Sequence, residues 1–184
     1  MSVHKLKFKE QAEELVCLDL GTGAGKNKPD GFLGVDIVKG KAVDKVCDLT
    51  KPWPWKSNSI DELAANYLLQ YLSAKERIHF ANEAHRVLKT GGKCVIAVPH
   101  WCASQAYGDL LAQFPPVSES WFPFLNKAFR DANDYDGGYK CDFDITLGYG
   151  MHPHITTRAV EYQQNAITWY KEAAQAIHAT ITKR

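Results

Sequence analysis

Leu15-Val16-Cys17-Leu18-Asp19-Leu20-Gly21-Thr22-Gly23-Ala24-Gly25 decides how the rest of this chain is read. Five of its first six residues are apolar or carry a thiol, which predicts a strand over 15–20 buried on both faces. Three glycines then stand at alternate positions. Gly21, Gly23 and Gly25 let the backbone turn sharply and let a ligand approach the main chain. Open α/β sheets bind ligands at the carboxyl ends of their parallel strands, where this loop falls.

Two common ligand loops are excluded by single residues. A phosphate-binding P-loop needs glycine five residues before Gly25 and Ser or Thr after Lys26, but Leu20 and Asn27 stand there. A dinucleotide loop opens a helix whose N-terminus holds the pyrophosphate. Here Lys26 occupies its third glycine position, and Pro29-Asp30-Gly31 leaves little room for a helix. Asp19 also sets a carboxylate at the mouth of the loop. That charge opposes a pyrophosphate and suits a ligand with an ammonium group.

The pattern Asp19-x-Gly21-x-Gly23-x-Gly25 resembles the first motif of class I S-adenosylmethionine (SAM) methyltransferases. Gly34-Val35-Asp36-Ile37 resembles the family's second strand and its terminal acid, and Cys47-Asp48-Leu49 the loop that meets adenine. Arg86-Val87-Leu88-Lys89-Thr90-Gly91-Gly92, followed by 93–99, resembles the helix, turn and fifth strand. The resemblance implies a Rossmann-like class I methyltransferase fold: an α/β domain with a seven-stranded, mostly parallel sheet and an antiparallel last strand. It also implies SAM as cofactor, S-adenosylhomocysteine as product, and a binding set of Asp19, Gly21, Thr22, Gly23, Asp36, Ile37, Asp48, Leu49, Asn66 and Tyr67. In that set Asp19 lies near the ammonium, Asp36 takes the ribose and Asp48 the adenine amine.

Further strands are expected over 32–37, 42–47 and 60–65, and one helix after the capping box Ser73-x-x-Glu76. Gly91 is expected to close that helix, before strand five over 94–98. Strand six is expected over 142–148, a long helix over 157–175 and the last strand over 177–182. The links at 26–31 and 38–41 are too short for the usual crossover helices, so those helices are abbreviated. The loop 49–59 carries Trp53 and Trp55, read equally well as a wall beside adenine or as cover for the sheet edge. Residues 102–140 form an aromatic-rich insertion over the ligand end, within a single domain spanning 1–184.

The 184 residues carry a formal net charge of +1 with interspersed signs, so no global field recruits nucleic acid. Asn66-Tyr67-Leu68-Leu69 lacks the prolines of base amino methyltransferases, which also disfavours nucleic acid. No apolar run reaches membrane-spanning length and the start lacks a signal-peptide core. The five cysteines have no Cys-x-x-Cys pair, so no metal site or disulfide is expected, and a reducing, cytoplasmic setting is.

Methyl transfer is an in-line displacement, so positioning dominates and the first motif names no catalytic residue. His100, after strand five, is the candidate general base; Trp101, Tyr107 and Trp121 are candidates for acceptor binding. Pro99-His100-Trp101 through Ala106-Tyr107-Gly108-Asp109 resembles small phage and bacterial methyltransferases, in which Pro-Thr-His usually follows the Asp. Here Leu110-Leu111-Ala112 follows. The expected function is SAM-dependent methyl transfer to a small-molecule acceptor; the alternative is a SAM-binding sensor or partner protein that transfers nothing. If the strands are apolar on both faces, the thin crossovers leave Val16, Leu18, Leu33 and Val35 to be covered, either by the chain's own N-terminal arm or insertion or by a second copy as a homodimer.

Overall fold

The computed structural model describes residues 15–23 and 28–184. Seven strands form one sheet: β1 (Cys17–Leu20), β2 (Phe32–Asp36), β3 (Lys45–Val46), β4 (Ile60–Asn66), β5 (Leu88–Pro99), β6 (Phe143–Met151) and β7 (Ala174–Lys183). Their order is β3-β2-β1-β4-β5-β7-β6. All pairs up to β4–β5 are parallel, and β7 runs antiparallel between β5 and β6. The topology is the one expected, and it brings the ends of β1, β2 and β4 to a common edge. The links 37–44 and 47–59 hold no helix, as their lengths and prolines require.

The principal cover of the sheet is α1 (Ala74–Val87), which starts at the expected capping box of Ser73 and Glu76 and buries Phe80, Ala81, Ala84 and Val87. The tryptophan loop is fastened to it. Trp53 packs edge-on against Phe80 and donates its indole N–H to the Leu49 carbonyl at 3.0 Å. Its backbone N–H meets Glu83, and Arg86 holds the carbonyls of Trp53 and Trp55. Trp53 is therefore a core residue that covers the sheet, and neither tryptophan borders the cleft described below.

The register shows that the strands are not apolar on both faces. Side chains of laterally paired residues share a face. One row across the sheet reads Leu33, Leu18, Leu63, Cys94, Ile181, Ile145. The next row, on the opposite face, reads Gly34, Asp19, Ala64, Val95, Thr180, Thr146. The sheet is one-sided, apolar toward α1 and small or polar on the other face. Val16, Leu18, Leu33 and Val35 all lie on the α1 side; Leu18 and Val35 are fully buried, while Val16 and Leu33 stay partly exposed. The expectation of two apolar faces is corrected, and with it goes the physical reason given for a homodimer. The N-terminal arm and Gly25 lie outside the described residues.

Two element boundaries also differ. Gly91 does not cap α1: the helix stops at Val87, and Leu88 already pairs with Ile60, both fully buried. The next pair is Glu62 with Lys93, so 89–92 bulge out with Gly91 at φ +79°. The helix expected over 157–175 is shortened to α5 (Val160–Trp169), and a separate single turn, α4 (Pro153–Thr156), precedes it. Within α5 only Ala166 is buried; Tyr162 and Trp169 are exposed. Ala174 and Ala176 enter β7 instead, where pairing with β5 and β6 outweighs helix propensity.

The insertion holds α2 (Gln105–Gly108), a 3₁₀ turn at Glu119–Leu125 and α3 (Lys127–Ala132). Its Val117, Phe122 and Leu125 join the main core. Two buried arginines fix it through carbonyl oxygens. Arg77 donates to Leu69, Pro115 and Gln113, and Arg130 to Phe124 and Cys141.

Candidate active site

The turn after β1 is locked to β2 by main-chain and hydroxyl bonds. Gly21 and Thr22 both donate backbone N–H groups to the Val35 carbonyl, at 2.8 and 3.2 Å. The Thr22 hydroxyl donates to the Asp19 carbonyl at 2.7 Å and accepts from Val35 N at 3.1 Å. Gly21 has φ +71°, and a Cβ there would meet Leu68 Cδ1 at 2.9 Å. Asp36, at the end of β2, accepts from Gly23 N at 2.7 Å and from Val38 N at 2.9 Å, one bond to each carboxylate oxygen. Each oxygen keeps a lone pair, and the carboxylate cannot rotate without breaking a bond.

These residues form one wall of a cleft of about 160 Å³. Gly21, Asp36 and Ile37 line that wall. Cys47, Asp48, Leu49 and Thr50 line the second, and Leu68, Tyr71 and Leu72 the third. Asp48 is held by Thr50, whose hydroxyl and backbone N–H donate to Oδ1 at 2.6 and 2.9 Å. The Thr50 hydroxyl, then its N–H, lower the Asp48 pKa below the usual carboxylate value. Among the described residues no lysine or arginine lines the cleft. Asp19 is buried on the polar side of the sheet, and that burial pushes its pKa up against opposing effects of Thr22 and Lys28.

The two acids and their apolar neighbours expected from the sequence thus meet in one cleft. Asn66 and Tyr67 do not line it: both are exposed at the end of β4, Tyr67 with φ +55° and its N–H on the Ala97 carbonyl. The wall they were expected to supply comes from Leu68, Tyr71 and Leu72. The signal for these was their place directly after the fourth strand, before the capping box.

His100 is fully buried, with both ring nitrogens occupied. Cys102 N donates to Nδ1 at 3.2 Å, so Nε2 carries the proton and donates to Glu119 Oε1 at 2.6 Å. The other Glu119 oxygen accepts the Trp101 indole N–H at 2.8 Å. Burial acts to raise the Glu119 pKa, but the bonds from His100, its own backbone and Trp101 bring it below the usual value. A ring so enclosed has no free nitrogen for an acceptor, so the general-base role expected of His100 gives way to a structural one. Trp101 and Tyr107 are exposed, joined by a bond from the Tyr107 hydroxyl to the Trp101 carbonyl. Trp121 is turned away. Its indole N–H meets the Tyr139 hydroxyl, and it borders a separate cavity with Arg77 and Pro115.

All five cysteines are free. Among the described residues no group of three or more His, Cys, Asp and Glu side chains converges as a metal site, and no helix is long and apolar enough to cross a membrane.

A seven-stranded sheet with β7 reversed, a glycine turn after β1 and an acid at the end of β2 define the Rossmann-like class I methyltransferase fold. Residues 9–96 match the family model of a methyltransferase domain. A SAM-dependent methyltransferase from Archaeoglobus fulgidus shares the fold with a TM-score of 0.65 at 16% identity, over 92% of this chain and 86% of the other. A SAM-dependent methyltransferase from Mesorhizobium loti gives 0.55 at 16%, over 92% and 91%. A geranyl diphosphate C-methyltransferase from Streptomyces coelicolor A3(2), in complex with Mg²⁺, geranyl diphosphate and S-adenosylhomocysteine, gives 0.56 at 14%, over 92% and 71%. No curated protein matches by sequence. The resemblance carried by the motifs holds at the level of the fold, and residues 9–96, just under half of the chain, match the methyltransferase-domain model.

Proposed function

We propose that the chain is a SAM-dependent methyltransferase acting on a small-molecule acceptor. The observation that carries this is the cleft itself: two fixed carboxylates, Asp36 and Asp48, between apolar walls at the carboxyl ends of β1 and β2. That donor set fits an adenosine. Asp36 offers acceptor lone pairs to a ribose diol, and Asp48 offers one to an exocyclic amine. Ile37, Leu49, Leu68 and Leu72 give flat apolar contact for a base. Among the described residues a pyrophosphate would face carboxylates and no cation. Asp19 is buried, and among the described residues it has no ion pair, so an ammonium placed beside it would stabilise its carboxylate.

SAM held by the Gly21 turn, Asp36 and Asp48 would supply an electrophilic methyl group for a nucleophilic atom of the acceptor. The protein's part is to orient the cofactor and hold the acceptor in line. His100 and Glu119 fix the loop that carries Trp101 at that edge of the sheet. Trp101 and Tyr107 are the proposed acceptor-side contacts.

Incubation of the full chain with methyl-labelled SAM and pooled small-molecule acceptors tests this reading. Label transferred to an acceptor supports it. Tight SAM binding with no transfer to any pool would favour a binding protein instead.

A further inference from the structure

A second cavity, of about 340 Å³, opens between the first turns of α1 and the insertion. It shares no lining residue with the cleft at the ends of β1 and β2. Its size and walls are those of a small-molecule site. Trp121, Phe124, Tyr135 and Tyr139 supply aromatic faces. The ring centres of Phe124 and Tyr135 lie 4.8 Å apart, and those of Tyr135 and Tyr139 6.4 Å apart.

The charge around this cavity has one sign. Among the described residues Arg77 alone is charged on its wall. Three carbonyls take the hydrogen bonds of that buried guanidinium, and no described carboxylate balances its charge. Burial presses the Arg77 pKa down, with the nearby Tyr139 opposing. Arg130 is also buried and bonded to carbonyls, 5.7 Å from the Tyr139 ring centre. Two buried cations without a described carboxylate partner carry a desolvation cost that an anion in the cavity would offset. Asp131, Asp134 and Asp136 border a neighbouring cavity instead, together with Lys127 and Arg130.

Hydrogen-bonding capacity points to the same ligand. The Tyr139 hydroxyl accepts the Trp121 indole N–H at 2.9 Å, and its own hydrogen has no acceptor among the described residues. Ser118 and Ser120 also line the cavity. The walls thus combine a cation and an unused hydroxyl donor with aromatic faces, and hold no described carboxylate.

We propose that this cavity is a second ligand site and takes a small aromatic carboxylate, its ring against the aromatic walls and its anionic end toward Arg77 and the Tyr139 hydroxyl. The site is independent of the methyl-transfer reading, since no residue of the cleft contributes to it.

The test is calorimetric titration of the full chain with three probes of one shape: 2-naphthoate, 2-naphthamide and 2-naphthylmethylammonium. Naphthoate is expected to bind at least about tenfold more tightly than either of the others. Ala74 on α1 and Ser120 on the 3₁₀ turn are exposed residues lining the cavity. Ala74→Glu adds an acid to the first turn of a helix, where it is favourable. It is expected to weaken naphthoate about tenfold while leaving naphthamide within about twofold. Ser120→Glu is expected to do the same from the insertion side, so the result does not hang on one variant. Tyr139→Phe is expected to weaken naphthoate several-fold. S-adenosylhomocysteine is expected to leave naphthoate in place. Naphthamide or the ammonium probe binding as tightly as naphthoate overturns the proposal. So does naphthoate binding that is absent, indifferent to both acidic variants, or displaced by S-adenosylhomocysteine.

Discussion

Gly23 donates its backbone N–H to Asp36 Oδ2 at 2.7 Å. A glycine of the turn thus fixes the acid that ends the neighbouring strand, and Val38 N holds the second oxygen. The turn and the acid are one device: the turn needs a partner for its N–H, and the acid needs a fixed direction to serve as an acceptor.

The close approach of backbone at Gly34 is the most demanding packing constraint near this device. A Cβ there would lie 1.9 Å from the Ala42 carbonyl oxygen. Gly34→Ala must push β2 and the following loop apart, at a cost of about 3 kcal/mol. The thermal midpoint should fall by roughly 6–12 °C for a chain of this size. Gly108→Ala, where an added Cβ meets nothing within 4 Å, is the control and should change little.

Arg77 predicts how the insertion is held. Its guanidinium is buried and satisfied by the carbonyls of Leu69, Gln113 and Pro115, with no carboxylate partner among the described residues. Arg77→Met keeps much of the stem but strands those three acceptors, at a cost of about 3 kcal/mol. Limited proteolysis should then cut within 102–117 faster than in the parent chain, and unchanged cleavage would count against this anchor.

Glu119 predicts a pH dependence. Its folded-state pKa lies below the usual value, because the bonds from His100 and Trp101 outweigh burial. The stability it contributes is therefore present above the ordinary value of 4.5 and lost as pH falls through the folded pKa. Glu119→Gln has one acceptor oxygen for two donors and should be destabilised at neutral pH by about 1–3 kcal/mol. The gap between parent and variant should narrow below pH 4.5, as read from thermal midpoints across pH.

The cleft was readable in the sequence where local pattern sufficed. Gly21 follows a buried apolar run and so falls at the end of a strand, while Asp36 and Asp48 were placed by the resemblance of 34–37 and 47–49 to methyltransferase motifs. The end of α1 was not readable, because Leu88 suits the helix stripe and a strand equally, and pairing with Ile60 decides between them. The Ala-rich stretch through Ala174 is ambiguous for the same reason. The one-sided sheet did leave a signal. Thr180 and Thr182 alternate with Ala179 and Ile181, a half-buried pattern rather than a doubly buried one. The burial of His100 depends on Glu119, which sits on another element of the insertion, and nothing near His100 in the chain announces it.

The central claim is that this cleft takes adenosine through a carboxylate pinned by Gly23. Calorimetric titration of SAM and of NADH into the parent chain and into Asp36→Ala tests it most directly. The account predicts that the parent binds SAM and not NADH, and that Asp36→Ala weakens SAM by about 1–3 kcal/mol, or roughly 5- to 150-fold. SAM affinity unchanged in Asp36→Ala, or NADH bound in place of SAM, would contradict it.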